Sequence, residues 1–298
     1  MKVLKRIELL WTGGFDSSFR LLELSRMDVE VQPYYIVHRE RITKDREALA
    51  RKKVLEFIAS REETKAHILP VKEVRYEDIP YDEEIAVAYK SVCREFPLGG
   101  QYEWLSMFAA VHKGIELGHE KFWSMSPKPG RLTKYLLDSG SMKFDSDGVG
   151  YLDESVCKRN VYRLYGNYRF PIALKDETTM VNILQQWGYE EIIHSLWFCF
   201  HPRDGKPCGV CAACSSKMRN GMQNLLPKEA WNRYAVYQGL LKKDSDAADL
   251  YKIYVRYPTL EKWLAALDKT EDRVAEVIFY LSAIKSKADY FDSLEGIS

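Results

Sequence analysis

The chain has 298 residues, 46% of them apolar and 29% charged, with 44 basic residues against 43 acidic ones. That is enough length and apolar content for a full core, as one large domain or a large domain with a helical appendage. The near-cancelling charge excludes a protein that coats nucleic acid by broad electrostatics. No apolar run reaches the ~18 residues that span a bilayer. The basic start, Met1 to Arg6, precedes an apolar stretch too short for a secretory signal, so the expected location is cytoplasmic.

In chain order, Arg6 to Trp11 reads as a buried strand broken by Gly13-Gly14, and Phe19, Leu21, Leu22 and Leu24 suit a helix from Ser17. Val29 to Val37 is a second strand. Ala50, Val54, Phe57 and Ile58 line one face of the next helix, and His67 to Val74 is a third strand. Strand–helix–strand–helix–strand predicts an α/β fold with a doubly wound parallel sheet. Tyr102 to Leu117 reads as a helix and Lys121 to Met125 as the fourth strand. Residues 127 to 160 show no period and read as a long functional loop or lid. Pro171 to Leu174, a helix over Glu177 to Trp187 and a strand over Ile192 to Phe198 follow. Residues 227 to 298 read as wholly helical, with a break at Arg256-Tyr257-Pro258-Thr259 and Thr270 as an N-cap. The expected division is a nucleotide-binding α/β domain (1–198), a zinc-binding segment (199–226) and a helical extension (227–298).

The first strand–helix turn, Trp11-Thr12-Gly13-Gly14-Phe15-Asp16-Ser17-Ser18, stands where an anion site is expected. Glycines allow positive φ and close backbone approach. The next helix presents unpaired N–H groups and a positive dipole end, and Thr12, Ser17 and Ser18 add hydroxyls around that nest. No Gly-Lys-Ser/Thr follows and no G-x-G-x-x-G is present, so neither a Walker loop nor a dinucleotide fingerprint fits. Asp16 repels phosphate directly, which leaves it to cap the helix or to meet phosphates through Mg2+. A tight βα turn without a ligand is the plain alternative.

Six cysteines are present, and Cys199, Cys208, Cys211 and Cys214 are separated by eight, two and two residues. That spacing suits one tetrahedral ion rather than a disulfide framework. Four protein ligands close the shell, so a zinc ion here is expected to be structural. An iron–sulfur cluster is the rival, because thiolates alone do not name the metal. His194 and His201 read as ordinary surface or core histidines, and Cys93 and Cys157 as small buried hydrophobes.

The loop resembles the S-G-G-x-D-S signature of PP-loop ATP pyrophosphatases, with Thr12 in place of the first serine. Together with the cysteine spacing, the chain is similar to the 7-cyano-7-deazaguanine synthase (QueC) family over about residues 5 to 222, roughly three quarters of its length. Pro171-Ile-Ala-Leu-Lys175, Asp147-Gly-Val-Gly150-Tyr151-Leu-Asp153 and Phe96-Pro97-Leu98-Gly99-Gly100-Gln101 resemble further family segments in the same order. The resemblance implies a PP-loop, adenine nucleotide alpha hydrolase-like fold. It implies ATP-dependent charging of a 7-carboxy-7-deazaguanine-type carboxylate with AMP, then transfer to an amine. It assigns ATP and Mg2+ to Trp11, Thr12, Gly13, Gly14, Asp16, Ser17, Ser18 and His38, with Asp16, Ser17 and Lys175 catalytic. Gln101, Tyr151, Asp153 and Lys175 are the implied substrate residues, Asp153 reading a guanine-like edge and Lys175 meeting the carboxylate.

The chain departs from the family at Gly100, Gln101 and Leu152, and after Asp153 it continues Glu154-Ser-Val-Cys157. The implied outcome is a retained ATP step with either ammonia as acceptor, giving an amide and after a second activation the nitrile preQ0, or a changed acceptor, a protein amine in an antiviral-defence setting. Another PP-loop enzyme, such as a tRNA-thiolating one using Cys93 and Cys157, and a zinc-stabilised binding module stay open. Val274, Val277, Ile278 and Leu281 form a helical face suited to its own domain or to a homodimer. No general nucleic-acid binding and no membrane contact are expected.

Overall fold

A computed structural model describes residues 3–38, 41–96, 98–121, 131–257, 283–284 and 287–296. The chain divides into two compact units, Met1–Trp197 and Phe198–Ser298. It is an α/β protein with a parallel central sheet and 12 α-helices among the described residues.

In the first unit, β1 (Lys5–Leu10) pairs in parallel with β2 (Val29–Val37), Leu10 opposite Tyr34. The edge next to β2 is carried by β3 (His67–Ile68) and β4 (Lys72–Arg75), interrupted around Pro70 and both parallel to β2. On the other side of β1 come β5 (Ile115–Glu116) and, further along the chain, Tyr168–Arg169, again parallel. The strand order therefore reverses between β1 and β5, and ligands in such sheets bind outside the carboxyl ends at that point.

Neighbouring residues of a strand face opposite sides of the sheet. Tyr34 meets Phe108 of α4 (Gln101–Val111), with ring centroids 5.4 Å apart. Tyr35 donates to Glu47 of α2 (Lys44–Ala59) at 2.8 Å. Helices thus cover both faces, as alternating βα units require. On the Tyr35 side α2 packs beside α1 (Phe15–Ser25). On the Tyr34 side α4 packs with α3 (Glu83–Glu95), a helix the sequence reading did not place.

Three expectations are corrected here. The helix expected over Tyr102 to Leu117 stops at Val111; Gly114 takes a φ of +84°, and the chain re-enters the sheet as β5. Of the strand expected over Lys121 to Met125, residues 122–125 lie outside the described residues. Residues 131 to 160 are not one loop. They hold α5 (Arg131–Asp138), the antiparallel hairpin β6 (Met142–Phe144) and β7 (Gly150–Leu152), and the start of α6 (Arg159–Tyr165). Three-residue strands around an Asp145–Gly148 turn are too short to show a period. The Tyr168–Arg169 strand (β8) is followed by α7 (Glu177–Gln186), much as expected. Finally, Ile192 to Phe198 is not a strand: α8 (Glu190–Ile193) buries both isoleucines and an irregular run follows.

The second unit carries α9 (Ala212–Arg219), α10 (Lys228–Lys243), α11 (Ser245–Arg256) and α12 (Ala288–Glu295). Helix α11 ends at Arg256, where the expected break begins; Pro258 and Thr259 lie outside the described residues. Thr270, Val274, Val277, Ile278 and Leu281 lie outside the described residues. The Glu295 side chain is buried, where it accepts from Tyr251 (2.8 Å) and pairs with Arg203 (3.2 Å) and Arg233 (4.0 Å).

Candidate functional site

The glycine turn lies at the strand-order reversal. Gly13 has φ +82°, and a Cβ on it would sit 2.8 Å from Glu47 O, so both conformation and space demand glycine. Gly14 caps α1 with extended backbone, its N–H donating to Thr12 Oγ1 at 3.2 Å. Ser17 Oγ accepts from the Thr12 N–H at 3.4 Å, so hydroxyls and amides close around the amino end of the helix. From the opposite side Gly118, just past β5, brings its backbone against the same turn; a Cβ there would lie 3.0 Å from Ser17 N.

Trp11 and Ser18, expected to touch the nucleotide, do not offer their side chains to it. Both are fully buried, and the Trp11 indole donates to Ser18 Oγ at 2.9 Å. They brace the turn from inside.

Asp16 shares its surroundings with two residues the sequence reading did not assign to the site. Donor oxygens of Asp16, Glu120 and Glu177 all lie within 4.8 Å of one another, and Glu120 and Glu177 are buried. Three carboxylates this close repel unless a cation or protons intervene. An all-oxygen set suits a hard divalent ion such as Mg2+. Glu177 is the first residue of α7, where an acid reads simply as a helix-dipole partner. Glu120 follows β5, so it became visible only once that strand was placed correctly. Beside them, burial pushes Tyr102 up to about 12, Gln101 acting to lower it and the negative Asp16 to raise it. Burial holds the His119 imidazole down to about 4; its Nε2 lies 2.5 Å from Thr133 Oγ1.

The remaining candidates divide. Gln101, the exposed first residue of α4, bonds Tyr102 and so stands on the Asp16 side. His38, just past β2, packs its ring 4.7 Å from Tyr76 and 6.1 Å from Trp104, again at the carboxyl ends of strands. Lys175 is turned elsewhere: its Nζ lies 3.3 Å from Glu23, about two turns along α1 from Asp16. Glu23 also pairs with Arg20, which holds Glu116 with two bonds of 2.8 Å. Tyr151 stacks under Arg169 at 5.0 Å. Asp153 Oδ1 accepts from Ser155 N and Oγ, which holds its carboxyl below the usual range. As placed, Lys175 pairs with α1 and Asp153 holds its own turn, and meeting a substrate would require them to exchange those partners. A groove between α3 and α6, lined by Glu83, Lys113, Glu154, Arg163 and Asn167, opens at the amino ends of β5 and β8, the opposite ends from the glycine turn. Burial raises the Cys157 thiol, the reverse of what an attacking thiolate needs.

In the second unit the four cysteines converge. Cys208 and Cys214 sulfurs are 3.9 Å apart, those of Cys199 and Cys211 are 4.0 Å apart, and all four lie within 4.8 Å. A tetrahedron with ~2.3 Å metal–sulfur bonds has edges of ~3.8 Å, so the group could hold a metal such as zinc. Backbone amides of Cys208, Cys211 and Cys214 donate to the sulfurs of Cys199, Cys208 and Cys211, which steadies thiolates. Gly209 turns the first pair with φ +88°; a Cβ there would strike Ala230 O at 2.2 Å. Arg233 Nε fixes the Cys208 carbonyl at 2.8 Å. Its partner Glu295 then ties that turn to the last helix.

Fold and sites together define an α/β protein with a glycine turn and a carboxylate group at the sheet's switch point, plus a separate four-thiol centre. No protein-family model matches the chain, and no curated protein matches it.

Proposed function

We propose that the chain is an ATP-using ligase of the PP-loop type, similar to the QueC family. It charges a 7-carboxy-7-deazaguanine-type carboxylate with AMP and passes the acyl group to an amine. The observation that carries this reading is the meeting, at the strand-order reversal, of the glycine turn, the amino end of α1 and the Asp16–Glu120–Glu177 group.

The turn's N–H groups and the α1 dipole receive the β,γ-phosphates, and Ser17 and Thr12 orient them. Asp16, Glu120 and Glu177 would hold Mg2+, which supplies charge neutralisation at the phosphates. A carboxylate oxygen of the acid attacks the α-phosphorus as the bond to pyrophosphate breaks, giving an acyl-adenylate. The amine nitrogen then attacks the acyl carbon, loses a proton, and AMP leaves with the bonding pair. Zinc in the cysteine group is structural, because four thiolates leave no open position. The acceptor is ammonia or a larger amine such as a protein N-terminus, and the chain acts in the cytoplasm.

The experiment measures substrate-dependent release of pyrophosphate and AMP from zinc-replete protein, with Asp16→Ala and Ser17→Ala as controls. Product is read by mass spectrometry after incubation with the deazapurine acid, ATP and ammonia. Release that depends on the acid and vanishes in Asp16→Ala supports the reading. Protein that neither binds nor splits ATP ends it. Nitrile formed with ammonia alone, the amide being dehydrated through a second activation by ATP, excludes the larger amine.

A further inference from the structure

The glycine turn contains no lysine or arginine, and its carboxylate neighbours add negative charge where a polyphosphate would sit. A divalent ion offsets the carboxylates; the phosphates themselves still call for a cation. Arg51, in the second turn of α2, is packed against the underside of that turn. A Cβ on Gly13 would lie 3.0 Å from Arg51 Cγ and 3.3 Å from its backbone nitrogen.

The Arg51 side chain is only 7% exposed. Its guanidinium carbon lies 3.7 Å from the Tyr35 ring centroid, which fixes the plane of the fork. Nη2 reaches Glu73 at 3.2 Å, a carboxylate that is itself 59% exposed. Nη1 is buried and has no hydrogen-bond partner among the described residues. Nearby Glu47 accepts instead from Tyr35, Arg41 and Thr43 at 2.8, 2.8 and 2.7 Å. A buried guanidinium nitrogen left unpaired is unfavourable and points to an absent acceptor. Among the described residues, Arg20 holds Glu116 and Glu23, and Lys175 holds Glu23. Arg61 also has an unpaired buried nitrogen, but it lies beyond the far end of α2.

We infer that Arg51 is a polyphosphate-binding residue: Nη1 donates to an oxygen of the pyrophosphate seated on the glycine turn, while Nη2 keeps its surface partner Glu73. The inference deepens the proposed function and rests on its placement of the β,γ-phosphates. It predicts discrimination among nucleotides, because AMP lacks the groups Arg51 would hold.

The test is calorimetric titration of the full chain with Mg-ATP, Mg-pyrophosphate and AMP, alongside melting curves without ligand. In Arg51→Met, affinity for Mg-ATP and Mg-pyrophosphate should fall roughly tenfold to a hundredfold, the usual weight of a charged hydrogen bond, with AMP affinity unchanged. Arg51→Lys should recover part of the loss. Unchanged pyrophosphate affinity in Arg51→Met, or an equal loss for AMP, overturns the inference and leaves the ATP reading standing. If Arg51→Met does not fold, Arg51→Gln is compared with Arg51→Lys, and equal pyrophosphate affinities overturn it. Wild-type protein that binds neither ATP nor pyrophosphate removes the ATP reading and the inference together.

Discussion

The two units assemble their sites in opposite ways. In Phe198–Ser298 the four thiols come from sixteen consecutive residues, and only the outer support, Arg233 and Glu295, arrives from a distance. In Met1–Trp197 the turn at residues 11–18 is completed by Glu120 and Glu177, more than a hundred residues downstream. A local site depends on its own chain segment and its ion. A site at a sheet's switch point depends on every strand that sets the register.

The contrast makes the cysteine centre the place of largest expected loss. Removing zinc with a chelator, or changing Cys208 to Ala, should forfeit much of the ~10 kcal/mol that such ions contribute to folding. The second unit should then lose its helical signal while sheet signal from the first persists. Simultaneous melting of both units by circular dichroism would contradict that independence.

In the first unit the corresponding change is chemical. Glu177→Gln or Asp16→Asn should lower pyrophosphate release by roughly a hundredfold or more, as loss of a metal-holding carboxylate does, with little change in melting temperature. Equal activity in Glu177→Gln would place the divalent ion elsewhere.

Two glycines compare the turns directly. Gly209→Ala forces a Cβ to 2.2 Å from Ala230 O and should cost about 3 kcal/mol or more, read as lower zinc retention. Gly13→Ala meets Glu47 O at 2.8 Å and carries a positive φ, and should cost about 2 kcal/mol while weakening ATP binding more than stability. The smallest effect is expected inside the turn. Trp11→Phe removes one buried hydrogen bond to Ser18 and should cost about 1 kcal/mol in chemical denaturation.

The first two strands, the helix that follows each of them, the cysteine centre and the glycine turn were legible because each signal is local. Strand β2 runs from Val29 to Val37 as the apolar pattern indicates. Legibility failed where elements are only two or three residues long. Ile115 and Leu117 continued the apolar rhythm of α4, which hid a two-residue strand. The isoleucines at 192 and 193 read as strand residues yet sit in a single helical turn.

By itself, then, the sequence determined where a backbone must turn, which residues offer thiolates at chelating spacing, and that strands alternate with helices. Those properties follow from φ preference, short-range geometry and periodicity, all carried by neighbours in the chain. Only the tertiary structure decided that Glu120 and Glu177 join Asp16, that Lys175 faces Glu23, and that Arg51 lies beneath Gly13 with an unpaired nitrogen. These are contacts between distant segments. They depend on strand order and helix packing, and no local propensity encodes them.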